Sequence, residues 1–234
     1  LLTEPTHYRN LKTLRVENNT CKNIHTRGSF LAFYKTPAAQ AANHIDAGSI
    51  ITLKDNLIEG NPFLRRSDSN ALAIDTYASY VEDFIVDGNT FKDYQDVIRP
   101  YNLGTNYVIK NNIFDQLGDD TSGSKTVAIF IRLEENLDPV VIENNTFIFG
   151  EKGTCIYFSS SASNTTDALI KNNSFIFIGA EEKSANNNYL VYRASTNNLD
   201  QFTFKGNYYY GLENLNSISS LTSHLTGGTL LQGL

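Results

Sequence analysis

The chain has 234 residues, of which 41% are hydrophobic, and its formal net charge is −6 at pH 7. This length and hydrophobic content suffice for one sizeable core, so we expect a single domain over residues 1–234. The negative charge argues against nucleic acid as a partner, and the lack of a run of 18 apolar residues argues against a membrane span. Because no basic segment precedes an apolar run at the N-terminus, we expect any export signal to lie outside this sequence.

A ten-residue motif recurs seven times along the chain, and one asparagine occupies the same place in every copy. Successive asparagines are separated by 23 to 37 residues. Such a range is typical of loops of variable length attached to a repeat of fixed size. The copies and their first residues are LRVENNTCKN (Leu14), ITLKDNLIEG (Ile51), FIVDGNTFKD (Phe84), YVIKNNIFDQ (Tyr107), VVIENNTFIF (Val140), ALIKNNSFIF (Ala168) and FTFKGNYYYG (Phe202).

Apolar and charged positions alternate before the asparagine. The residues five and three before it are apolar or aromatic in every copy, and the residue two before it is always charged. Period-two alternation predicts a β-strand with one buried and one solvated face. The residue directly before the asparagine is Asn, Asp or Gly, which accept the left-handed backbone conformation, so we predict a corner there. The residue two after it is apolar or aromatic and is predicted to point inward.

The repeated asparagine is itself predicted to lie inside the fold. A buried amide is costly unless its donors and acceptor are hydrogen-bonded. Stacked repeats supply such partners, since each side chain can bond to the equivalent one above and below. We therefore predict a ladder formed by Asn19, Asn56, Asn89, Asn112, Asn145, Asn173 and Asn207.

A further apolar segment follows the motif in the first six copies and is predicted to be another strand, which we call the following strand. The predicted fold is all-β: a single-stranded right-handed parallel β-helix (solenoid) of about seven coils with an Asn ladder. Its repeats span about residues 14–211, with possible end covers at 1–11 and 212–234. The following strands are FLAFYK (Phe30), ALAIDT (Ala71), DVIRPY (Asp96), AIFIRL (Ala128), CIYFSS (Cys155) and YLVYRA (Tyr189).

This coil, a strand with an Asn/Gly-Asn corner and a following aromatic residue, resembles that of the pectate-lyase-like superfamily of right-handed parallel β-helices. That superfamily includes polysaccharide lyases and phage tail spikes. The resemblance implies a secreted, cell-surface or virion protein that contacts acidic or complex polysaccharide, either as a lyase or glycoside hydrolase or as a non-catalytic glycan binder. The alternative is a structural or receptor-binding segment of a tail spike or adhesin, for which a homotrimer is expected. The chain lacks the lysine and Arg-His-Gly signature of chondroitinase B and alginate lyases, so catalysis stays an open question.

The candidate site lies on the outer face of the following strands. Arginine binds carboxylates through two parallel hydrogen bonds, tyrosine rings stack on sugar faces, and a cation can stabilise the charge that a lyase develops next to a uronate carboxyl. The register that we predict turns Leu31, Leu72, Val97, Ile129, Ile156 and Leu190 inward. It places Tyr34, Asp75, Pro100, Arg132, Ser159 and Arg193 in one outward column, and Arg99 among Phe33, Ile74 and Ile131. The predicted catalytic residues are Asp75, Arg99 and Arg132, and the predicted substrate-binding residues are Tyr34, Arg65, Arg66, Tyr101 and Arg193.

No cofactor is predicted. The segment that contains Asp115, Asp119 and Asp120 offers oxygen ligands for calcium, without the further ligand spacing of a known loop. Cys21 and Cys155 lie four coils apart at roughly 4.8 Å per coil, too far for a disulfide, and are predicted to be buried thiols.

Overall fold

The computed structural model describes residues 12–24, 30–32, 50–60, 72–75, 82–93, 96–99, 106–116, 127–131, 139–149, 154–158, 167–178, 189–193, 202–211 and 229–231. These residues form 21 β-strands and no helix, and the strands pair in parallel. The described part of the chain is therefore all-β, as predicted.

The strands stack into three sheets, and each coil contributes to them in the same order, which is the architecture of a parallel β-helix. The first sheet contains β1 (Thr13–Glu17), β4 (Ile50–Lys54), β7 (Asp83–Asp87), β10 (Asn106–Lys110), β13 (Val140–Glu143), β16 (Ala168–Lys171) and β19 (Phe202–Lys205). The second contains β2 (Thr20–Ile24), β5 (Leu57–Gly60), β8 (Thr90–Lys92), β11 (Ile113–Gln116), β14 (Thr146–Phe149), β17 (Ser174–Phe177), β20 (Tyr208–Tyr210) and β21 (Thr229–Leu231). The third, formed by the following strands, contains β3 (Leu31–Ala32), β6 (Leu72–Asp75), β9 (Asp96–Arg99), β12 (Val127–Ile131), β15 (Thr154–Phe158) and β18 (Tyr189–Arg193).

A left-handed corner separates the first sheet from the second in every coil, as the sequence predicts. The corner residues have positive φ at Asn18 (56°), Asp55 (54°), Gly88 (70°), Asn111 (57°), Asn144 (55°), Asn172 (54°) and Gly206 (64°). The structure adds a second corner that the sequence interpretation missed. It lies four residues after the ladder asparagine in three coils, at Asn23 (56°), Asp93 (58°) and Gly211 (72°).

The asparagine ladder is present along the whole solenoid. The backbone N–H and the Nδ2 amide of Asn112 both donate to Oδ1 of Asn145, at 2.9 and 3.0 Å, and Nδ2 also donates to the carbonyl of Val86 at 2.9 Å. From the second coil to the seventh, each ladder asparagine is at most 2% exposed. In the first coil Asn19 is exposed. The buried amides thus find partners in the neighbouring coils, which is the reason the sequence repeats them.

An aromatic column fills the core beside the ladder. The rings of successive coils stack nearly parallel, with interplanar angles of 4 to 14°. The centroid distances are 5.3 Å for Phe91–Phe114, 4.9 Å for Phe114–Phe147, 5.0 Å for Phe147–Phe175 and 5.6 Å for Phe175–Tyr209. The prediction that the residue two after the asparagine points inward is confirmed in these coils.

The two ends of the described solenoid differ. At the C-terminal end β21 extends the second sheet, with Leu230 paired opposite Tyr209, so part of the predicted end cover at 212–234 is an additional strand. The segment 1–11 lies outside the described residues. Of the two free thiols, Cys155 is buried, which raises its pKa, and Cys21 in the first coil is half-buried. The expectation of buried thiols is therefore right for Cys155 and only partly right for Cys21.

Candidate functional site

The register of the third sheet differs from the predicted one. Its inward column contains Leu31, Ile74, Ile98, Ile129, Ile156 and Val191, paired from coil to coil. The predicted register is therefore wrong by two residues at Leu72, which leaves it on the same face of its strand as Ile74, and by one residue at Val97 and Leu190. The physical reason lies in consecutive apolar residues, since Val97 and Ile98 are both buried and either register would place an apolar residue inside.

The correct register places an acidic, a basic and three aromatic residues in one column. Asp75 pairs opposite Arg99, Phe130 opposite Tyr157, and Tyr157 opposite Tyr192. Continuing the Ile98–Ile129 pairing by one residue places Arg99 opposite Phe130. We call these five positions the acid–aromatic column. Arg99 therefore does not lie among Phe33, Ile74 and Ile131 as predicted, because its register neighbours are an aspartate and a phenylalanine.

Burial shows which face of the third sheet carries this column. Ile156 and Phe158 are fully buried, and the ring of Phe158 lies 4.4 Å from that of Phe202 in the core, so the position between them belongs to the outer face. Tyr157 at that position is half-buried. Two residues earlier on the same face, Cys155 is fully buried. On this strand the outer face is therefore covered at Cys155 and becomes partly accessible at Tyr157.

The structure brings together two of the three predicted catalytic residues, Asp75 and Arg99, on adjacent strands. In the backbone register Arg193 pairs opposite Phe158, whereas the predicted column placed it opposite Ser159. The remaining predicted positions lie outside the described residues. They are Tyr34, Arg65, Arg66, Pro100, Tyr101, Arg132 and Ser159.

Of the three aspartates predicted as possible calcium ligands, one lies among the described residues. Asp115 is half-buried in β11, between Lys92 and Ile148 on the adjacent strands, and Asp119 and Asp120 lie outside the described residues. Within the part of the chain that the structure describes, no group of three His, Cys, Asp or Glu side chains could hold a metal ion.

A second surface, on the outer face of the second sheet, was missed by sequence reasoning. In the first four coils its outer positions include Lys22, Glu59, Lys92 and Asp115, whereas the last three coils place Ile148, Ile176 and Tyr210 in the same column. Four nearby apolar or aromatic side chains are exposed: Ile113 (42%), Ile178 (57%), Tyr208 (48%) and Tyr210 (40%). We call the set Ile113, Ile148, Ile176, Ile178, Tyr208 and Tyr210 the apolar strip. The sequence feature that indicates this strip is an apolar or aromatic residue three positions after the asparagine, as in NTFIF, NSFIF and NYYYG.

Other proteins add no functional assignment to this geometry. Among the described residues, no helix is long and apolar enough to cross a membrane. Comparison of the chain with protein-family models, with curated proteins and with solved structures found no match. The function therefore has to be inferred from the two surfaces and from the fold that carries them.

Proposed function

We propose that the chain is a polysaccharide-binding β-helix that holds a glycan along the acid–aromatic column of the third sheet. The observation that carries the proposal is the register, which aligns Asp75, Arg99, Phe130, Tyr157 and Tyr192 on consecutive coils. Coils repeat at roughly 4.8 Å, so the column extends over about 19 Å along the solenoid axis. A linear ligand with a short repeat fits a linear array of side chains better than a compact ligand does.

The residue types of the column suit a sugar chain. Aromatic rings offer an apolar face to the C–H groups of a pyranose, and tyrosine adds a hydroxyl that can exchange hydrogen bonds with the sugar. Arginine supplies several N–H donors in a planar arrangement that matches a carboxylate. Arg99 lies next to Asp75, and that pairing leaves the two ends of the column different in polarity. We therefore propose a ligand that carries a carboxylate near Arg99 and presents sugar faces to the three aromatic positions.

The proposal is limited to binding, which requires only rings and a guanidinium. Cleavage would also require Asp75 or another group of the column to act as a general acid or base at the scissile bond. Release of an unsaturated product from any uronate polysaccharide, followed by its ultraviolet absorbance, would show that the same surface is that of a lyase.

The test is a comparison of affinities over polygalacturonate, alginate, chondroitin sulfate and a neutral xylan, measured by affinity electrophoresis. We expect a uronate polymer to bind, and we expect Arg99→Gln to weaken that binding about tenfold through the lost bidentate hydrogen bonds. Tyr157→Leu, which keeps apolar bulk, should weaken binding to neutral and acidic polymers alike. Lys171→Gln, on the outer face of the first sheet, is the matched control and should change nothing. Full affinity in both Arg99→Gln and Tyr157→Leu, or no binding of any polymer by the parent chain, would refute the proposal.

A receptor-binding or structural role is the second candidate, and the apolar strip favours it. A contiguous patch of exposed apolar side chains often marks a site of interaction with another molecule. In that case Tyr208→Ser combined with Tyr210→Ser would abolish self-association or receptor binding and leave glycan binding unchanged. A mass of three chains by light scattering, reduced to one chain by this pair of substitutions, would support the trimeric tail-spike or adhesin alternative.

A further inference from the structure

The last strand of the second sheet, β21, pairs with a single neighbour. It comprises Thr229–Leu231, runs parallel to β20 and is the outermost strand of its sheet. The first sheet ends one coil earlier, at β19, and the third sheet ends two coils earlier, at β18. Among the described residues, β21 therefore has no companion strand in its own coil, and its pairing is limited to the three residues of β20.

This strand lies at the end of the aromatic column. The ring of Tyr209 is nearly parallel to that of Phe175, with an interplanar angle of 7° and a centroid distance of 5.6 Å. One face of the Tyr209 ring therefore packs on Phe175, and the other face is directed towards the coil of β21. In that coil Leu230 pairs opposite Tyr209 in the backbone register. Tyr209 is only 3% exposed, so the second face of its ring is covered as well.

The hydroxyl of Tyr209 is buried without a hydrogen bond. Within the described part of the chain, no donor or acceptor is placed to bond with it. Asn207 lies nearby, but its Oδ1 accepts from the backbone N–H and Nδ2 of Asn173 at 2.9 and 3.1 Å, and its Nδ2 donates to the carbonyl of Ile170 at 2.9 Å. The equivalent residues of the third to the sixth coils are Phe91, Phe114, Phe147 and Phe175. Stacking therefore requires no hydroxyl, and the burial of this one without a partner opposes the covered state.

We propose that β21 is a strap that opens and closes over Tyr209, and that the unpaired hydroxyl shifts this equilibrium towards the open state. In the closed state the hydroxyl is removed from water and has no partner. In the open state water bonds to it, so the hydroxyl favours opening, whereas the pairing of β21 with β20 favours closure. Opening exposes the end of the aromatic column and leaves the preceding coils folded.

Hydrogen exchange of the backbone amides, followed by NMR at pH 7, measures this opening. In the parent chain the amides of Thr229–Leu231 should exchange faster than those of β13, which report unfolding of the whole solenoid. Tyr209→Phe removes the hydroxyl and keeps the ring, and it should fold because phenylalanine occupies this position in four other coils. We expect the variant to slow exchange of Thr229–Leu231 about tenfold, since closure no longer buries an unpaired hydroxyl.

Tyr208→Phe is the matched control, because it removes a hydroxyl from the same strand at a residue that is 48% exposed. It should leave exchange of Thr229–Leu231 unchanged. The proposal is overturned if these amides exchange no faster than those of β13 in the parent, because β21 then has no opening of its own. Unchanged exchange in Tyr209→Phe, loss of folding in that variant, or equal slowing by Tyr208→Phe would overturn it too. The measurement is independent of glycan binding, which is proposed for another sheet.

Discussion

The centre of the asparagine ladder gives a quantitative prediction, because Asn145 takes part in six hydrogen bonds with neighbouring coils, four through its side chain and two through its backbone. Asn145→Ala keeps only the two backbone bonds, from its N–H to Oδ1 of Asn173 and from the N–H of Ser174 to its carbonyl. The backbone N–H of Asn112 then loses its acceptor, and the carbonyl of Ile109 loses the Nδ2 donor at 2.9 Å. A buried group left without its partner costs about 1–3 kcal/mol, so we expect a loss of about 2–4 kcal/mol in the free energy of unfolding.

The same substitution in the first coil is the control. Asn19 is exposed, so water can replace the two bonds that its Nδ2 makes, and Asn19→Ala should cost less than about 1 kcal/mol. Both variants are measured by guanidinium unfolding followed by near-ultraviolet circular dichroism. If the two losses agree within about 0.5 kcal/mol, burial does not determine the strength of the ladder and the reasoning fails.

Four further predictions concern the surface, a corner, the last aromatic ring and metal. Lys171→Ala should change stability by less than about 0.5 kcal/mol in urea unfolding, because its ion pair with Glu143 is partly solvated. Gly88→Ala should lower stability by about 1–2 kcal/mol in the same assay, since its φ is +70°, where a residue with a Cβ is strained, while the exposed Asp55 carboxylate that the Cβ would meet can move aside. Burial raises the pKa of Tyr209 from 10.0 to about 12, and the nearby Asn207 offsets this only in part. The stability that Tyr209 contributes is therefore present below pH 10 and lost as the pH rises towards 12, so thermal midpoints of the parent should fall more steeply over that range than those of Tyr209→Phe. EDTA should leave the thermal midpoint unchanged, and a drop of many degrees would instead indicate a structural calcium ion.

The first and second sheets were predictable because each coil carries a marker that fixes its register. The hydrogen-bonding groups of the buried asparagine find their partners when the asparagines of neighbouring coils are aligned, and the residue before each asparagine must accept a left-handed backbone. The third sheet has no such marker. Strands such as AIFIRL are apolar at consecutive positions, and Ala128 and Ile129 are both fully buried, so alternation along the strand does not reveal which residue faces the core.

The candidate site was predictable in its face and in part of its chemistry. The sequence interpretation selected Asp75 and Arg99, and the backbone register makes them neighbours. The aromatic continuation through Tyr157 was missed because the predicted outward column took Ser159, two residues later on the same face of the strand. The apolar strip was not predicted, because the pattern of inward residues does not indicate which outward side chains stay exposed, as Tyr208 and Tyr210 do.

The aromatic column also has an optical consequence. The chain contains no tryptophan, so its ultraviolet emission comes from tyrosine and phenylalanine. Four phenylalanine rings lead, in steps of 4.9 to 5.6 Å, to Tyr209 at the end of the column. Excitation absorbed by any of these rings can pass from one to the next and be emitted by that tyrosine. The part of the sensitised tyrosine emission that Tyr209→Phe removes would then report whether the third to the seventh coils remain stacked, without an added label.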